Sequence, residues 1–178
     1  MAYTTIDDPT QHFDILTRSG VYDSSGTYDL TGLNFQPDFV WEKVRSVSGD
    51  HYLQNSSLTG KKMLKSNSSA DENTDGNIES YLSNGIQINR QYDWNSSRTL
   101  VDWFWKANGG TTSSNTDGSI TSTVQANTTA GFSILTYSAN ATAGATVGHG
   151  LGTTPSVVIL KKRSGTGDGN WMVGHKAY

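Results

Sequence analysis

The feature that most constrains this chain is that part of its first half is spelled out again near its end. Phe13-Asp14-Ile15-Leu16-Thr17 is answered by Phe132-Ser133-Ile134-Leu135-Thr136. Gly32-Leu33, Pro37 and the run Phe39-Val40-Trp41-Glu42-Lys43-Val44 are answered by Gly150-Leu151, Pro155 and Val157-Val158-Ile159-Leu160-Lys161-Lys162. Arg45-Ser46 returns as Arg163-Ser164. The offset is 119 residues at the phenylalanine and 118 at both the proline and the arginine. Landmarks that keep register this closely over about thirty positions indicate a duplicated module, and a duplicated module points to a building or binding unit.

Composition says what the module is made of. Ser (22), Thr (22), Asn (13) and Gly (19) together displace the apolar and charged residues, which fall to 34% and 16%. These small polar types disfavour helix interiors and favour turns and strands. The remaining apolar content is rich in β-branched and aromatic residues, which suit a pleated, half-buried surface. The expected class is all-β.

Function classes fall away on similar grounds. A net charge of −3 with no basic stripe argues against a nucleic-acid partner. With no cysteine, disulfides and thiolate metal sites are excluded. Met1 to Pro9 is polar and acidic, without the apolar stretch of a Sec signal peptide. No window approaches the ~18 apolar residues that suggest a membrane span, so membrane insertion is not expected.

The chain divides into four parts. Residues 1–12 form a polar N-terminal arm, placed to serve as an attachment segment. Residues 13–107 carry about seven short apolar runs, the density of a β-sandwich. Phe39–Arg45 alternates, with Phe39, Trp41 and Lys43 on one face and Val40, Glu42 and Val44 on the other. Ile78–Leu82 and Ile86–Asn89 flank Ser83-Asn84-Gly85, a hairpin signal because Asn and Gly tolerate positive φ. Thr99–Lys106 reads as a central strand with Val101, Trp103 and Trp105 inward. Residues 108–130 hold no aromatic and read as a Ser/Thr/Asn/Gly-rich linker. Residues 131–178 read as the N-terminal part of a second β-sandwich repeat. They lack counterparts of the Asn-Gly hairpin and the Trp-rich strand, and so few residues do not easily bury a comparable core alone.

Several of these segments resemble a family of repeat-containing β-sandwich proteins from tailed phages of marine bacteria. The resemblance lies in the opening Met1-Ala2-Tyr3-Thr4-Thr5-Ile6-Asp7-Asp8-Pro9, in Gln36-Pro37-Asp38-Phe39-Val40-Trp41-Glu42-Lys43 and in Asp102-Trp103-Phe104-Trp105-Lys106-Ala107. It is strongest in Asn115-Thr116-Asp117-Gly118-Ser119-Ile120 leading to Gly131-Phe132-Ser133-Ile134, then Val147-Gly148-His149-Gly150-Leu151-Gly152. It covers most of the chain. It implies an antiparallel β-sandwich of jelly-roll or lectin-like type. It also implies a non-enzymatic virion structural protein, in a tail fibre or appendage that supports host attachment. A capsid decoration or head fibre, and a lectin-like carbohydrate-binding module for adsorption, are the alternatives. The partners implied are other virion proteins, further copies of this chain (a trimer being common for fibres) and a host-surface glycan. The location implied is the virion, assembled in the host cytoplasm. The motifs are turn glycines and strand aromatics, and they carry no catalytic set.

Two constellations invite chemistry. Asp71, Asn73 and Asp75 follow the first half of a calcium loop, with oxygen ligands two residues apart and then Gly76. The loop fails at its twelfth position, Leu82, where a bidentate Glu is required, so Ca²⁺ would need a ligand from another loop. The bland reading is an acidic turn. Tyr92, Asp93 and Trp94 could supply a sugar with a stacking face and a hydroxyl acceptor. The bland reading there is a loop over the sandwich edge or a subunit contact. Glu42 and Asp102 form a hydrolytic carboxylate pair only if both face one cleft. His12, His51, His149 and His175 lack a second ligand at metal spacing.

Overall fold

The computed structural model describes residues 6–165 and 169–177. They form an all-β protein in which alternation of apolar and polar residues has been converted into sheets. The strands are β1 (Phe13–Ser19), β2 (Thr27–Thr31), β3 (Phe39–Val44), β4 (His51–Asn55), β5 (Leu64–Lys65), β6 (Ile78–Leu82), β7 (Gly85–Asn89) and β8 (Thr99–Trp105). They are followed by β9 (Ser113–Asn115), β10 (Ser122–Asn127), β11 (Phe132–Tyr137), β12 (Val157–Leu160) and β13 (Met172–His175).

The first eight strands make a sandwich. One sheet runs β1-β8-β3-β4-β5 and the other β2-β7-β6. Between them lies a core of Leu30, Leu33, Phe35, Val40, Ile78, Ile86, Ile88 and Phe104, with Leu16, Val21 and Tyr81 against it. Each strand turns one alternate set toward this core. In β3 that set is Val40, Glu42 and Val44; in β8 it is Leu100, Asp102 and Phe104.

The β8 assignment corrects the sequence-based expectation. Trp103 and Trp105 lie on the outer face of the larger sheet, together with Trp41. There Trp41 meets Trp103 at 6.1 Å, and Phe13 and Phe39 meet Trp105 at 4.9 and 5.4 Å. The inner positions are taken by Leu100, Phe104 and Asp102, the last paired with Arg18 of β1, so the indoles fall on the outer face and cover one another.

β6 and β7 form the expected hairpin, but not for the reason the Asn-Gly signal suggests. Neither Asn84 nor Gly85 has a positive φ. Glycine is needed at 85 because a Cβ there would stand 2.0 Å from the Leu30 carbonyl oxygen of β2. β2 closes the polar stretch that follows β1.

The stretch 108–130, expected as a linker, is structured. It carries β9 and β10, and β10 is the middle strand of a sheet ordered β11-β10-β9. Its Val124 and Gln125 are buried. Composition misled because this sheet is closed by polar contacts: the Ser122 hydroxyl donates to the Gly148 carbonyl at 2.7 Å.

β12 and β13 pair only with each other. Their register copies that of β3 and β4. Phe39 faces Asn55 and Trp41 faces Leu53; Val157 faces His175 and Ile159 faces Val173. The closing bond is also copied, Ser56 N–H to Asp38 carbonyl at 2.9 Å and Lys176 N–H to Ser156 carbonyl at 3.0 Å. The turn end of this second hairpin is fastened to the first sandwich. Arg163 binds Glu72 through two bonds, and the Trp171 indole donates to the Lys65 and Ser68 carbonyls.

Candidate functional site

The most unusual chemistry lies inside the sandwich. Alternation brings Arg18 of β1, Glu42 of β3 and Asp102 of β8 to the inner face, where Asp93 joins them from the loop after β7. The Arg18 guanidinium donates to Glu42 at 2.6 Å, to the two Asp93 oxygens at 2.7 and 2.9 Å, and through Nε to Asp102 at 3.0 Å. Asn77 adds donations to Glu42 and Asp93, and the Val21 amide caps Asp93 at 2.8 Å. All four charged side chains are at most 5% exposed.

One cation thus faces three carboxylates, and the arrangement needs a proton. Glu42 and Asp102 are register partners across β3 and β8. One oxygen on each, Glu42 Oε1 and Asp102 Oδ1, is buried without a counted partner. A proton on Asp102, turned toward Glu42, would satisfy both. Burial first, and then the Glu42 charge beside it, push the Asp102 carboxyl well above the usual carboxylate range. Burial opposes the Arg18 charge, yet the Asp93 bond and the Glu42 and Asp102 charges outweigh it and raise its pKa. Arg18 therefore stays cationic.

Asp38 is a second buried hub. Its oxygens accept from the amides of Ala107, Gly109 and Gly110 at 2.7, 2.9 and 2.6 Å, and from the Ser56 hydroxyl at 2.6 Å. Ser56 and Ser57 in turn accept from Gln125 of β10. Phe132 of β11 lies 6.1 Å from Phe39 and 6.2 Å from Trp105. Together these contacts fix the 108–137 sheet onto the sandwich. Lys106 N–H donates to the His12 carbonyl at 2.8 Å, and Asn127 bonds the His12 ring.

The residues proposed for sugar binding are divided by the fold. Tyr92 is exposed, with Lys61 Nζ 5.0 Å from its ring centre. Trp94 is half-buried and stacked on Tyr52 at 6.3 Å. Asp93 is corrected: its carboxylate is buried and both oxygens are held by Arg18, so it offers a sugar hydroxyl nothing. Lys61 also borders a shallow groove of about 280 Å³, with Gln54, Asn55, Lys62, Glu79 and Tyr81.

The proposed calcium residues make a turn. The Asn73 side chain accepts from the Asp75 amide at 3.2 Å, and Asn73 bridges Met63 through the backbone. Among the described residues, no group of three or more His, Cys, Asp or Glu side chains is placed to hold a metal ion. Glu42 and Asp102 do face each other, but inside the sandwich and against Arg18, so they make no hydrolytic pair in a cleft.

Sequence reasoning missed Arg18, Asn77 and Asp38. A signal existed for Arg18: it occupies the same alternate set as Leu16 in β1, as Glu42 does with Val40 and Asp102 with Leu100. Three charges on inward positions of neighbouring strands call for one another.

No helix among the described residues is long and apolar enough to cross a membrane. A family model described as a domain of unknown function (DUF7483) matches residues 8–178, and the chain belongs to that family. No curated protein and no solved structure matches the chain.

Proposed function

We propose that this chain is a non-enzymatic structural module of a tailed-phage virion, most simply a component of a tail fibre or related appendage that supports host attachment. The observation that carries the reading is the second hairpin. A β-hairpin reproduced in register and in its closing bond, 118 to 120 residues further on, is what a protein assembled from repeated units requires. The polar chemistry of the sandwich points the same way. Arg18, Glu42, Asp93 and Asp102 are turned inward and bound to one another, where they hold strands together and meet no substrate. The junction at Asp38 and Gln125 sets the following sheet rigidly on the first module. Rigid modules in series project binding surfaces outward, and symmetry multiplies weak contacts.

The test is to find the chain in purified particles. Mass spectrometry of the parent phage should detect this polypeptide at a stoichiometry matching a symmetric appendage, and a cryo-EM map should locate it there. Its absence from the particle overturns the reading. Light scattering of the isolated protein adds a second measurement, with a closed homo-oligomer such as a trimer expected.

A further inference from the structure

The β12–β13 hairpin carries apolar residues on both faces and covers neither. Val157, Val158 and Ile159 are 51%, 50% and 58% exposed, and Met172 and Val173 are 58% and 68% exposed. The residue of β3 that matches Val158 shows what such a hairpin is built for: Val40 is 2% exposed. In β3, one edge is held by β4 and the other by β8, antiparallel, with Val40 opposite Phe104 and Glu42 opposite Asp102. In β12, one edge is held by β13, and no other described strand pairs with it. The hairpin is nonetheless held firmly at its turn end by Arg163, Lys161 and Trp171. It is a fixed platform with an open edge.

We infer that the outer edge of β12 is an acceptor for one antiparallel β-strand of β8 type, supplied by polypeptide outside these 178 residues. The established β3–β8 pairing defines the register: the incoming strand places residues opposite Val157, Val158, Ile159 and Leu160 as Trp105, Phe104, Trp103 and Asp102 stand opposite Phe39, Val40, Trp41 and Glu42. It also defines the chemistry. Leu160 stands where the first module has Glu42, and Tyr137 where it has Arg18. The cation and the one acceptor whose counterpart lies in this sequence are both replaced. An acid opposite Leu160 would stand among apolar side chains with no cation such as Arg18 beside it, which disfavours it. The acceptor therefore takes a strand that is apolar at the position where β8 carries Asp102. Main-chain hydrogen bonds along the edge supply affinity, and that one position supplies selectivity. The inference rests on the modular part of the function proposed above and not on its virion assignment.

The test uses the whole chain and two synthetic peptides. One carries the sequence Thr-Leu-Val-Leu-Trp-Phe-Trp-Lys, which is Thr99–Lys106 with leucine for Asp102; the other carries the unaltered sequence. Amide hydrogen exchange is read at Val157–Leu160. The leucine peptide should slow exchange at the outward amides of β12 about ten-fold or more at saturation. The aspartate peptide should slow it several-fold less at the same concentration. Equal protection by both peptides, or none by the leucine peptide while β12–β13 pairing persists, overturns the inference. A dimer that Val158→Lys dissociates would give the edge to a second copy of this chain, and would overturn it as well. Presence or absence of the chain in particles is decided separately by mass spectrometry, so the two readings fail independently.

Discussion

The molecule contains one hairpin in two settings. β3–β4 and β12–β13 share register and closing bond, yet the first is embedded in a sandwich and the second stands open. The difference lies in what surrounds the fold. β3 is stable because β8 pairs with it, β2-β7-β6 cover it, and Arg18 neutralises the carboxylate it carries inward. β12 has shed its charge, Leu160 for Glu42, and displays apolar side chains that the described strands do not cover. Pairing geometry is thus local to the hairpin, while burial and buried charge belong to the module.

Paired substitutions at matched positions put numbers on that contrast. The largest effect is expected at Arg18. Arg18→Met leaves three buried carboxylates facing one another and should cost about 3–5 kcal/mol in urea denaturation, the cost of breaking a buried ion pair. The matched Tyr137→Phe should stay within about 0.5 kcal/mol, as surface changes do. Similar losses at both would erase the distinction between the two settings. Next is Asp38, which accepts from three amides and a hydroxyl. Asp38→Ala should lose about 2–3 kcal/mol by leaving buried donors unpaired. It should also speed exchange at Gly109 and Gly110. Ser156→Ala, at the matched position, should be near neutral in the same denaturation assay.

Val40→Ala should cost about 2 kcal/mol from two buried methyl groups and the cavity they leave. Val158→Ala should cost a quarter of that or less in the isolated chain. A strand bound along β12 would bring the two values together, which sharpens the comparison. The most gradual effect is a pH slope. Asp102 holds its proton above the normal carboxylate range, so the folded state binds a proton that the unfolded state releases. Its contribution is complete below the unfolded pKa near 3.8 and declines as pH rises toward the raised folded pKa. The loss is at most about 1.4 kcal/mol per pH unit. Asp102→Asn, whose amide can donate to Glu42 Oε1 and whose oxygen can accept from Arg18, should flatten that slope. Denaturation midpoints between pH 5 and 9 that keep the slope in the variant would move the shared proton elsewhere.

Much of this could be read from residue order. Alternation in Phe39–Val44 located β3 and its two faces, and the paired apolar runs located β6 and β7. The repeat anticipated β11 and β12. What could not be read was which face of β8 points inward. Trp103 and Trp105 outweigh Leu100 and Phe104 on any scale of bulk, and Asp102 looks out of place in a core until Arg18 is brought beside it from 84 positions away. Burial of a charge depends on a partner distant in sequence, and periodicity within one strand is blind to it. The same holds for Asp93, whose neighbours Tyr92 and Trp94 suggested a ligand loop while its carboxylate faced inward. Residues 108–130 misled for another reason: Ser122 and Gln125 close a sheet with hydroxyl and amide bonds, so little apolar patterning was needed.

Phe13 and Trp105 are register partners, so the chain enters and leaves the sandwich at the same edge, about 5 Å apart. Tension applied between His12 and Lys106 does not run through the strands. It arrives at a single corner, where the His12 carbonyl is tied to the Lys106 amide and the His12 ring to Asn127. Load is taken by that clasp before any core contact stretches. A module strung this way behaves as a bead clipped to a cord, free of the tensile load passing its point of attachment.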